Sequence, residues 1–554
     1  MSGTAYPLKH VESFLNFLLE KSLIFEEEVS MYHYIIVGAG SAGCVLANRL
    51  TEDPATTVLL LEAGETDNAL EISIPLASSW LLRSPFDWAY ETEEQYNLNN
   101  RRLYWPRGKV LGGSSSINAM VHIRGNRRDY DHWRDLGNEG WDYSSVLPYF
   151  KKSENEERGP SKYHGSGGPL NIANHRTPNP LSQAFVNAGV EVGIPLTNDF
   201  NGAEQDGVGF YQVTQKNGLR HSAASGYVHP IMNRPNFTLK THALATKIIF
   251  EARRAVGVAY IQDGEKQECR AEREVILSCG TINSPQLLML SGIGPSNHLQ
   301  ARGIPVIVDL PGTGQNLQDH PAIVLLYTSA QPVSLAHPMT PENLQDFIEH
   351  KTGPLTSNGP ESGAFIRTRA DLLMPDIQYH FVPTYWSNHG STVPDVDGYT
   401  IVSCVLHPQS RGYIALNSPD PTHAPLIQPN YFADEHDMKV LVEGVKTARK
   451  LSETQAFAPF RKAETHPGPH VQCTEEIIEY IRQHAETLYH PVGTCKMGND
   501  SLAVVDAHLR VRGVSGLRVI DASIMPAIIG GNTNAPTIMI AEKASDLIKG
   551  ALPA

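Results

Sequence analysis

The sequence is poor in the features that mark secreted, membrane-spanning and nucleic-acid-binding proteins. It has six cysteines in 554 residues, with no CxxC pair or zinc-type spacing, which argues against a disulfide framework and favours a reducing compartment. No run of 18 apolar residues occurs, so no transmembrane helix is expected. Basic residues number 45 against 59 acidic ones, and the formal charge of −14 argues against a nucleic-acid partner.

What remains is the composition of a folded enzyme-sized protein. Apolar residues make up 41% and charged residues 19%, values that exclude a disordered or fibrous chain. The length exceeds what one hydrophobic core usually supports, which predicts two closely associated domains.

Residues 1–30 have a helix-like apolar spacing but lack the basic start and cleavage site of a signal peptide. Three interpretations stay open: a surface helix, an extension upstream of a natural start at Met31, or a peripheral membrane anchor. Three consecutive acidic residues, Glu26 to Glu28, oppose binding to anionic lipid.

A nucleotide-binding pattern opens the remainder of the chain. The apolar run 34–37 predicts a buried strand, and it leads into Gly38, Gly40 and Gly43 before a helix-like segment. The first glycine permits a tight turn, the second lets the backbone approach a pyrophosphate, and the third lets the helix pack closely. Glu62 ends the next predicted strand, about 20 residues later, where a carboxylate accepts hydrogen bonds from ribose hydroxyls.

Four further segments contain candidate ligand-binding or catalytic residues, or predict strands, turns and helices. Residues 107–118 form a Gly/Ser-rich loop suited to a phosphate or a flavin edge, with a plain tight turn as the alternative. Residues 275–294 predict a strand, a turn and a helix. The C-terminus predicts a strand at 517–520, a loop at 521–536 and a helix at 537–549. His490 follows a predicted helix at 474–488, and Pro491 restricts its backbone. A neutral imidazole at this position suits a general base for an alcohol proton.

Together these segments resemble the glucose–methanol–choline oxidoreductase family, from Met31 to the C-terminal helix. Residues 107–125 and 280–294 are similar to the two signature patterns of that family. The resemblance implies an α/β fold, α+β overall, in which a Rossmann-type FAD-binding domain is joined to a substrate domain built on an antiparallel sheet. It also implies oxidation of an alcohol with FAD as the hydride acceptor.

The motifs lie at both ends and in the middle of the chain, which predicts interleaved domains. We expect residues 31–66, 106–130, 215–330 and 500–554 to form the FAD-binding domain, after an N-terminal extension at 1–30. Residues 67–105, 131–214 and 331–499 are expected to form the substrate-binding domain.

The resemblance also assigns roles to individual residues. His490 takes the position of the base, and Asn532 takes that of its partner, with Asn534 as a near neighbour that could be confused with it. Ala245 is expected beside the adenine. The full set expected to bind FAD is Gly38, Gly40, Ser41, Ala42, Gly43, Glu62, Ala63, Arg107, Gly112, Gly113, Ser114, Asn118, Ala119, Met120, Val121, Ala245, Asp521, Ala522, Asn532 and Thr533.

Departures from the family patterns narrow the mode of FAD attachment and the range of reactions that the resemblance implies. Ile117 stands where some members carry a histidine that tethers FAD, so the resemblance implies non-covalent FAD. Fatty-acid photodecarboxylases of the family lack the residues found here as His490 and Asn532, which disfavours that reaction.

Several functions stay open at this stage. The leading one is a primary-alcohol dehydrogenase that passes electrons to a quinone or another acceptor, similar to bacterial enzymes acting on aliphatic alcohols and polyethylene glycol. Choline dehydrogenase is the second and needs a carboxylate and an aromatic cage, for which Glu361 and Trp386 are candidates. An oxygen-using oxidase, a non-redox hydroxynitrile lyase and a non-enzymatic flavin-binding protein are the others. A cytoplasmic location is expected, with peripheral association at the inner face of the cytoplasmic membrane as the alternative; the sequence leaves the oligomeric state open.

Overall fold

The computed structural model describes residues 31–391 and 395–550. The interpretations of residues 1–30 therefore lie outside the described residues. Within the described ranges no helix combines the length and the hydropathy that crossing a membrane requires.

The first of two seven-stranded sheets in this part of the chain is mixed. Strand Met31–Val37 pairs in parallel with Val58–Leu61 and with Glu265–Leu277, and the apolar stretches 34–37, 58–61 and 275–277 of these strands are buried. The strand order is Phe237–Lys240, Val58–Leu61, Met31–Val37, Glu265–Leu277, Arg254–Gln262 and Ala243–Glu251, and Leu517–Val519 also pairs with Glu265–Leu277. Strands Ala243–Glu251 and Arg254–Gln262 form an antiparallel hairpin that extends a parallel core.

The second seven-stranded sheet of the described residues is antiparallel throughout. Its order is Arg461–His466, Pro321–Ser329, Gly398–Val405, Ile377–Val382, Ser362–Ile366 and Gly207–Phe210, with Glu486–Thr487 pairing with Pro321–Ser329. The antiparallel sheet expected at about 330–470 is therefore present. The domain boundaries stay a prediction; strand Pro321–Ser329 joins the second sheet although the sequence assigned it to the FAD-binding segments.

Helices pack around both sheets and bury most of their apolar faces. Those of nine residues or more are Ser41–Leu50, Arg127–Asp135, Tyr143–Ser153, Pro180–Glu191, Gly280–Leu290, Pro341–His350, Glu435–Ser452, Thr474–His484 and Asn534–Lys549. Two of them differ from the sequence prediction. The helix predicted at 474–488 ends at His484, since Glu486 and Thr487 pair with the second sheet. The C-terminal helix begins at Asn534, three residues earlier than predicted.

Candidate active site

A cavity of about 750 Å³ lies between the two sheets, and nearly all the residues predicted to bind FAD or to take part in catalysis line it. Those that line it are Gly38, Gly40, Ser41, Ala42, Glu62, Ala63, Arg107, Gly113, Ser114, Asn118, Ala119, Met120, Val121, Ala245, His490, Asp521, Ala522, Asn532 and Thr533. Gly43 and Gly112 are not among the lining residues. Both act on backbone packing beneath the cavity: a Cβ on Gly43 would lie 1.9 Å from the Gly38 carbonyl oxygen, and one on Gly112 would lie 2.2 Å from Ser116 Oγ.

The glycine-rich turn forms a cradle at one end of the cavity, the nucleotide end. Gly38 has φ of +95°, and a Cβ there would lie 2.5 Å from the Ser278 carbonyl oxygen. A Cβ on Gly40 would have no neighbour closer than 4.0 Å, so its backbone is open to close approach by a ligand. Helix Ser41–Leu50 starts directly after it, and its first residues line the cavity. Free backbone N–H groups and the helix dipole together favour a phosphate here.

Glu62 is fixed at the nucleotide end by two backbone donors. Its Oε2 accepts a hydrogen bond from Ala39 N at 2.9 Å, and its Oε1 accepts one from Gly64 N at 2.9 Å. Burial raises the pKa of this carboxyl to about 7. Each oxygen keeps a second lone pair, and the side chain lines the cavity. These acceptor oxygens fit the hydroxyl groups of a nucleotide ribose.

Asp521 is a second buried carboxylate on the cavity wall. Its Oδ2 accepts hydrogen bonds from Gly280 N at 2.9 Å and Ser284 Oγ at 2.6 Å, and its Oδ1 accepts one from Ser523 N at 2.8 Å. Burial raises its pKa. The carboxylate thereby joins the start of helix Gly280–Leu290 to the C-terminal loop, which explains why these two distant motifs belong to one site.

At the other end of the cavity, the reacting end, the backbone of His490 is held on both sides. His490 N donates to Asp319 Oδ1 at 2.8 Å, and Asp319 Oδ2 accepts from Thr487 Oγ1 at 2.6 Å and from the Tyr431 hydroxyl. Tyr489, just before it, has φ of +70°, and Arg107 Nη2 donates to its carbonyl oxygen at 2.6 Å. A buried carboxylate and a buried guanidinium therefore fix the imidazole's position through its main chain.

His320 determines which nitrogen of His490 carries the proton. His320 Nε2 lies 2.9 Å from the Leu406 carbonyl oxygen, which can only accept, so this nitrogen is protonated. Burial lowers the pKa of His320 to about 3, so the ring is neutral and its Nδ1 is an acceptor. His490 Nδ1 lies 3.0 Å from that nitrogen and must donate to it. His490 Nε2 consequently carries no proton and keeps its lone pair as an acceptor.

That lone pair faces the cavity beside Asn532. Asn532 Nδ2 lies 3.2 Å from His490 Nε2, whereas Asn534 Oδ1 accepts a hydrogen bond from Ser41 Oγ at 2.6 Å at the start of helix Ser41–Leu50. Burial lowers the pKa of His490 well below its ordinary value, and the positive charge of Arg107 acts in the same direction. An unprotonated imidazole nitrogen and an amide donor thus face the same space, which suits removal of a proton from a hydroxyl group.

Much of the wall around this pair is apolar, and its polar members include His380 and Asn358. It includes side chains of the second sheet and nearby loops that also form one hydrophobic cluster, Val121, Val382, Trp386, Val402 and Leu488. Among the described residues that line the cavity, Glu62 and Asp521 are the carboxylates. Glu361 does not line it; its oxygens accept hydrogen bonds from Ser357 Oγ at 2.6 Å, Asn179 N at 2.7 Å and Ser182 Oγ at 2.7 Å. Glu361 therefore has a structural position, while Trp386 lies at the cavity.

Sequence reasoning missed His320, Asp319 and Gln378, whose amide contacts Asn532. One signal was available: Asp319-His320-Pro321 places a histidine before a proline, as His490-Pro491 does. No local pattern marks Gln378, because its partner Asn532 lies 154 residues away along the chain.

Comparison with known proteins identifies the family. Residues 32–322 and 408–541 match the N-terminal and C-terminal models of the GMC oxidoreductase family. The chain is 49% identical to an alcohol dehydrogenase (acceptor) of Pseudomonas putida, over 94% of this chain and 96% of that protein. It is 46% identical to the mitochondrial choline dehydrogenase of Homo sapiens, over 94% and 90% respectively. A solved FAD-dependent oxidoreductase from Chaetomium thermophilum superposes with a TM-score of 0.85 at 29% identity, covering 94% of this chain and 99% of that one.

The fold is that of a flavin-type oxidoreductase. The chain belongs to the GMC oxidoreductase family, as the sequence motifs predicted, and it is an oxidoreductase enzyme.

Proposed function

We propose that this enzyme oxidises a primary alcohol with an apolar chain to the aldehyde, with non-covalently bound FAD. Support for FAD comes from the family, from the open backbone at Gly40 and from the Glu62 carboxylate at the far end of the cavity. Support for non-covalent binding comes from Ile117, which lines the cavity and offers no nucleophilic atom at the place where some relatives carry a tethering histidine. When bound, FAD supplies the acceptor for the hydride that leaves the carbinol carbon.

The protein's own part in the reaction follows from the His490–Asn532 pair. A hydroxyl group placed between the two side chains donates its proton toward His490 Nε2 and accepts a hydrogen bond from Asn532 Nδ2. As the proton moves, negative charge grows on the oxygen, and the amide stabilises it. His490 Nδ1 keeps its proton on the His320 side, so the imidazole gains its positive charge without changing its position.

The observation that carries the substrate class is the neutral, apolar character of the reacting end. A quaternary ammonium group would lose its hydration there without gaining a carboxylate, because the cavity-lining carboxylates of the described residues, Glu62 and Asp521, already bind backbone donors. A hydrocarbon chain gains about 0.8 kcal/mol per buried methylene in such surroundings. We therefore favour an aliphatic alcohol.

Choline remains the second candidate. Choline dehydrogenases are 45–47% identical to this chain, and Trp386 gives the cavity an aromatic face that suits a cation. The missing carboxylate at this end is the argument against it.

We propose that the electron acceptor is of the quinone type. We also propose a cytoplasmic location, with peripheral attachment to the inner face of the membrane as the alternative. The relative named for an unspecified acceptor supports the first point.

The test is anaerobic reduction of the bound FAD, followed by absorbance near 450 nm, with 1-octanol and choline added to separate samples. We expect octanol to remove the absorbance in seconds and choline to leave it unchanged. Reduction by choline alone would transfer the protein to the second candidate. No reduction by octanol, choline or a short polyol, with FAD still bound, would contradict alcohol oxidation and favour the lyase.

A further inference from the structure

A continuous line of hydrogen bonds runs through the reacting end and ends at two backbone carbonyls. One end is the Leu406 carbonyl oxygen, which accepts from His320 Nε2 at 2.9 Å. The other is the Tyr379 carbonyl oxygen, which accepts from the Tyr211 hydroxyl at 2.6 Å. A carbonyl oxygen only accepts, so both ends fix the direction of the bonds that lead to them.

From the Leu406 end, every bond points the same way. His320 donates to the carbonyl, His490 donates to His320, and Asn532 Nδ2 donates to His490 Nε2. Asn532 thereby presents its NH2 group to the cavity, and its Oδ1 faces the other way as an acceptor. The orientation of this amide decides whether the substrate oxygen meets a donor or a lone pair.

From the Tyr379 end, the direction is opposite. The Tyr211 hydroxyl donates its one hydrogen to the Tyr379 carbonyl oxygen, so it must accept from Gln378 Nε2 at 3.1 Å. The two series of hydrogen bonds are compatible only if the group between them donates two hydrogen bonds, one to each side. Gln378 Nε2 is that group, because it also lies 3.1 Å from Asn532 Oδ1. Turning the Gln378 amide over would set its oxygen against Asn532 Oδ1, two acceptors in contact.

Gln378 is held firmly where it makes these contacts. It is fully buried in strand Ile377–Val382, between Phe365 and Cys404 of the neighbouring strands. It does not line the cavity, so it acts behind Asn532 and does not contact the substrate. A third neighbour, His380 Nε2, lies 3.2 Å from the same nitrogen and is the longest of the three contacts.

We infer that Gln378 is a positioning residue for the alcohol oxidation proposed above: its NH2 group holds the Asn532 amide with the donor side toward His490 and the substrate oxygen. The inference rests on the proposed function for its kinetic consequence. Its structural consequence, the state of the His490 ring, can be measured without any substrate.

The kinetic test compares Gln378→Met in two backgrounds. In the otherwise native enzyme we expect the limiting rate constant of FAD reduction by octanol to fall about tenfold, which is less than the decrease expected when an oxyanion donor is removed. The octanol Kd should change less than about threefold. In an Asn532→Ala background the same change should alter the rate constant by less than about twofold, because the amide that Gln378 positions is absent.

Gln215→Met is the matched control. Gln215 is equally buried, its NH2 group donates to the Thr356 carbonyl oxygen at 3.1 Å, and it does not line the cavity. It should leave the reduction rate constant unchanged. An unchanged rate constant in FAD-loaded Gln378→Met would overturn the inference. So would an equal loss in both backgrounds, since Gln378 would then act independently of Asn532.

The second measurement is the pKa of His490 from long-range ¹H–¹⁵N NMR, with its signal assigned by loss in His490→Asn. In Gln378→Glu the carboxylate accepts from the Asn532 amide, which turns Asn532 Oδ1 toward His490 Nε2 and favours a proton there. The pKa should rise by about one unit more than in Gln378→Glu with Asn532→Ala, where only the added charge acts. Equal shifts in both backgrounds would overturn the inference. If octanol fails to reduce the native enzyme, the proposed function fails and this NMR comparison still decides the role of Gln378.

Discussion

The two ends of the cavity hold polar groups by different means. At the nucleotide end, the carboxylates of Glu62 and Asp521 are buried, and backbone N–H groups bind both. At the reacting end, His320, His490 and Asn532 are neutral and bind one another and a backbone carbonyl. In the function proposed above, Glu62 at the nucleotide end binds ligand hydroxyls that do not react. In the same proposal, the groups that contact the substrate hydroxyl, His490 and Asn532, are neutral until the proton moves.

The largest effect should come from removing the base of the reacting end. His490→Ala is expected to lower the rate constant of FAD reduction by octanol about 10³-fold, within the range for general-base catalysis, with FAD content unchanged. Stopped-flow absorbance under anaerobic conditions measures it. His470→Ala, an exposed histidine, is the control and should have no effect. A His490→Ala enzyme of nearly native rate would place the base elsewhere.

The next effect concerns the amide partner. Asn532→Ala should lower the same rate constant about 10²-fold, because the growing negative charge on oxygen loses its donor. The loss should appear in the limiting rate constant more than in the octanol Kd. Asn499→Ala, on the exposed surface, serves as the control. If only the Kd changed, Asn532 would bind the ground state and have no special role as charge develops.

A change at the nucleotide end should act on binding and not on the reaction. Glu62→Gln removes a charged acceptor and is expected to weaken FAD binding by roughly 10- to 100-fold, the worth of a hydrogen bond to a charged group. FAD fluorescence on dilution of the holoenzyme measures the Kd. Glu91→Gln, an exposed residue, is the control. Tight FAD binding combined with slow reduction in Glu62→Gln would contradict the division of roles between the two ends.

The smallest effect is the pH dependence of stability. Burial lowers the pKa of His320 to about 3 and that of His380 to about 4, both below the unfolded value of about 6.5. Such groups bind fewer protons when folded, so their contribution to stability is complete above pH ~6.5 and is lost progressively as the pH falls toward 4. We expect Tm to decrease over this range and the decrease to be smaller in His380→Gln. A Tm independent of pH between 7 and 4.5 would be inconsistent with neutral buried imidazoles.

The nucleotide end could be predicted from sequence because its parts are local. Gly38, Gly40, Gly43 and Glu62 lie on one strand–helix–strand unit, where spacing and turn chemistry determine geometry. The reacting end has no such unit. His320, Gln378, His490 and Asn532 come from four separate stretches, and only sheet pairing and loop packing bring them together.

Element ends were missed for the same reason. The amphipathic pattern of helix Thr474–His484 continues toward Tyr489, and local propensity gives no cause to stop it. The helix ends because Glu486 and Thr487 pair with Ala322 and Pro321, a contact with a strand more than 150 residues earlier. That pairing also delivers His490 to the cavity, so the feature that sequence could not predict is the one that positions the proposed base.

The most direct test of the central claim is the isotope effect on FAD reduction by 1-octanol. The native enzyme would be mixed anaerobically with saturating 1-octanol or with 1-octanol deuterated at its carbinol carbon. If a hydride leaves that carbon while His490 takes the hydroxyl proton, both alcohols reduce the FAD and the deuterated one does so several-fold more slowly. Failure of both alcohols to reduce an FAD-loaded enzyme would contradict the assignment of this cavity to alcohol oxidation.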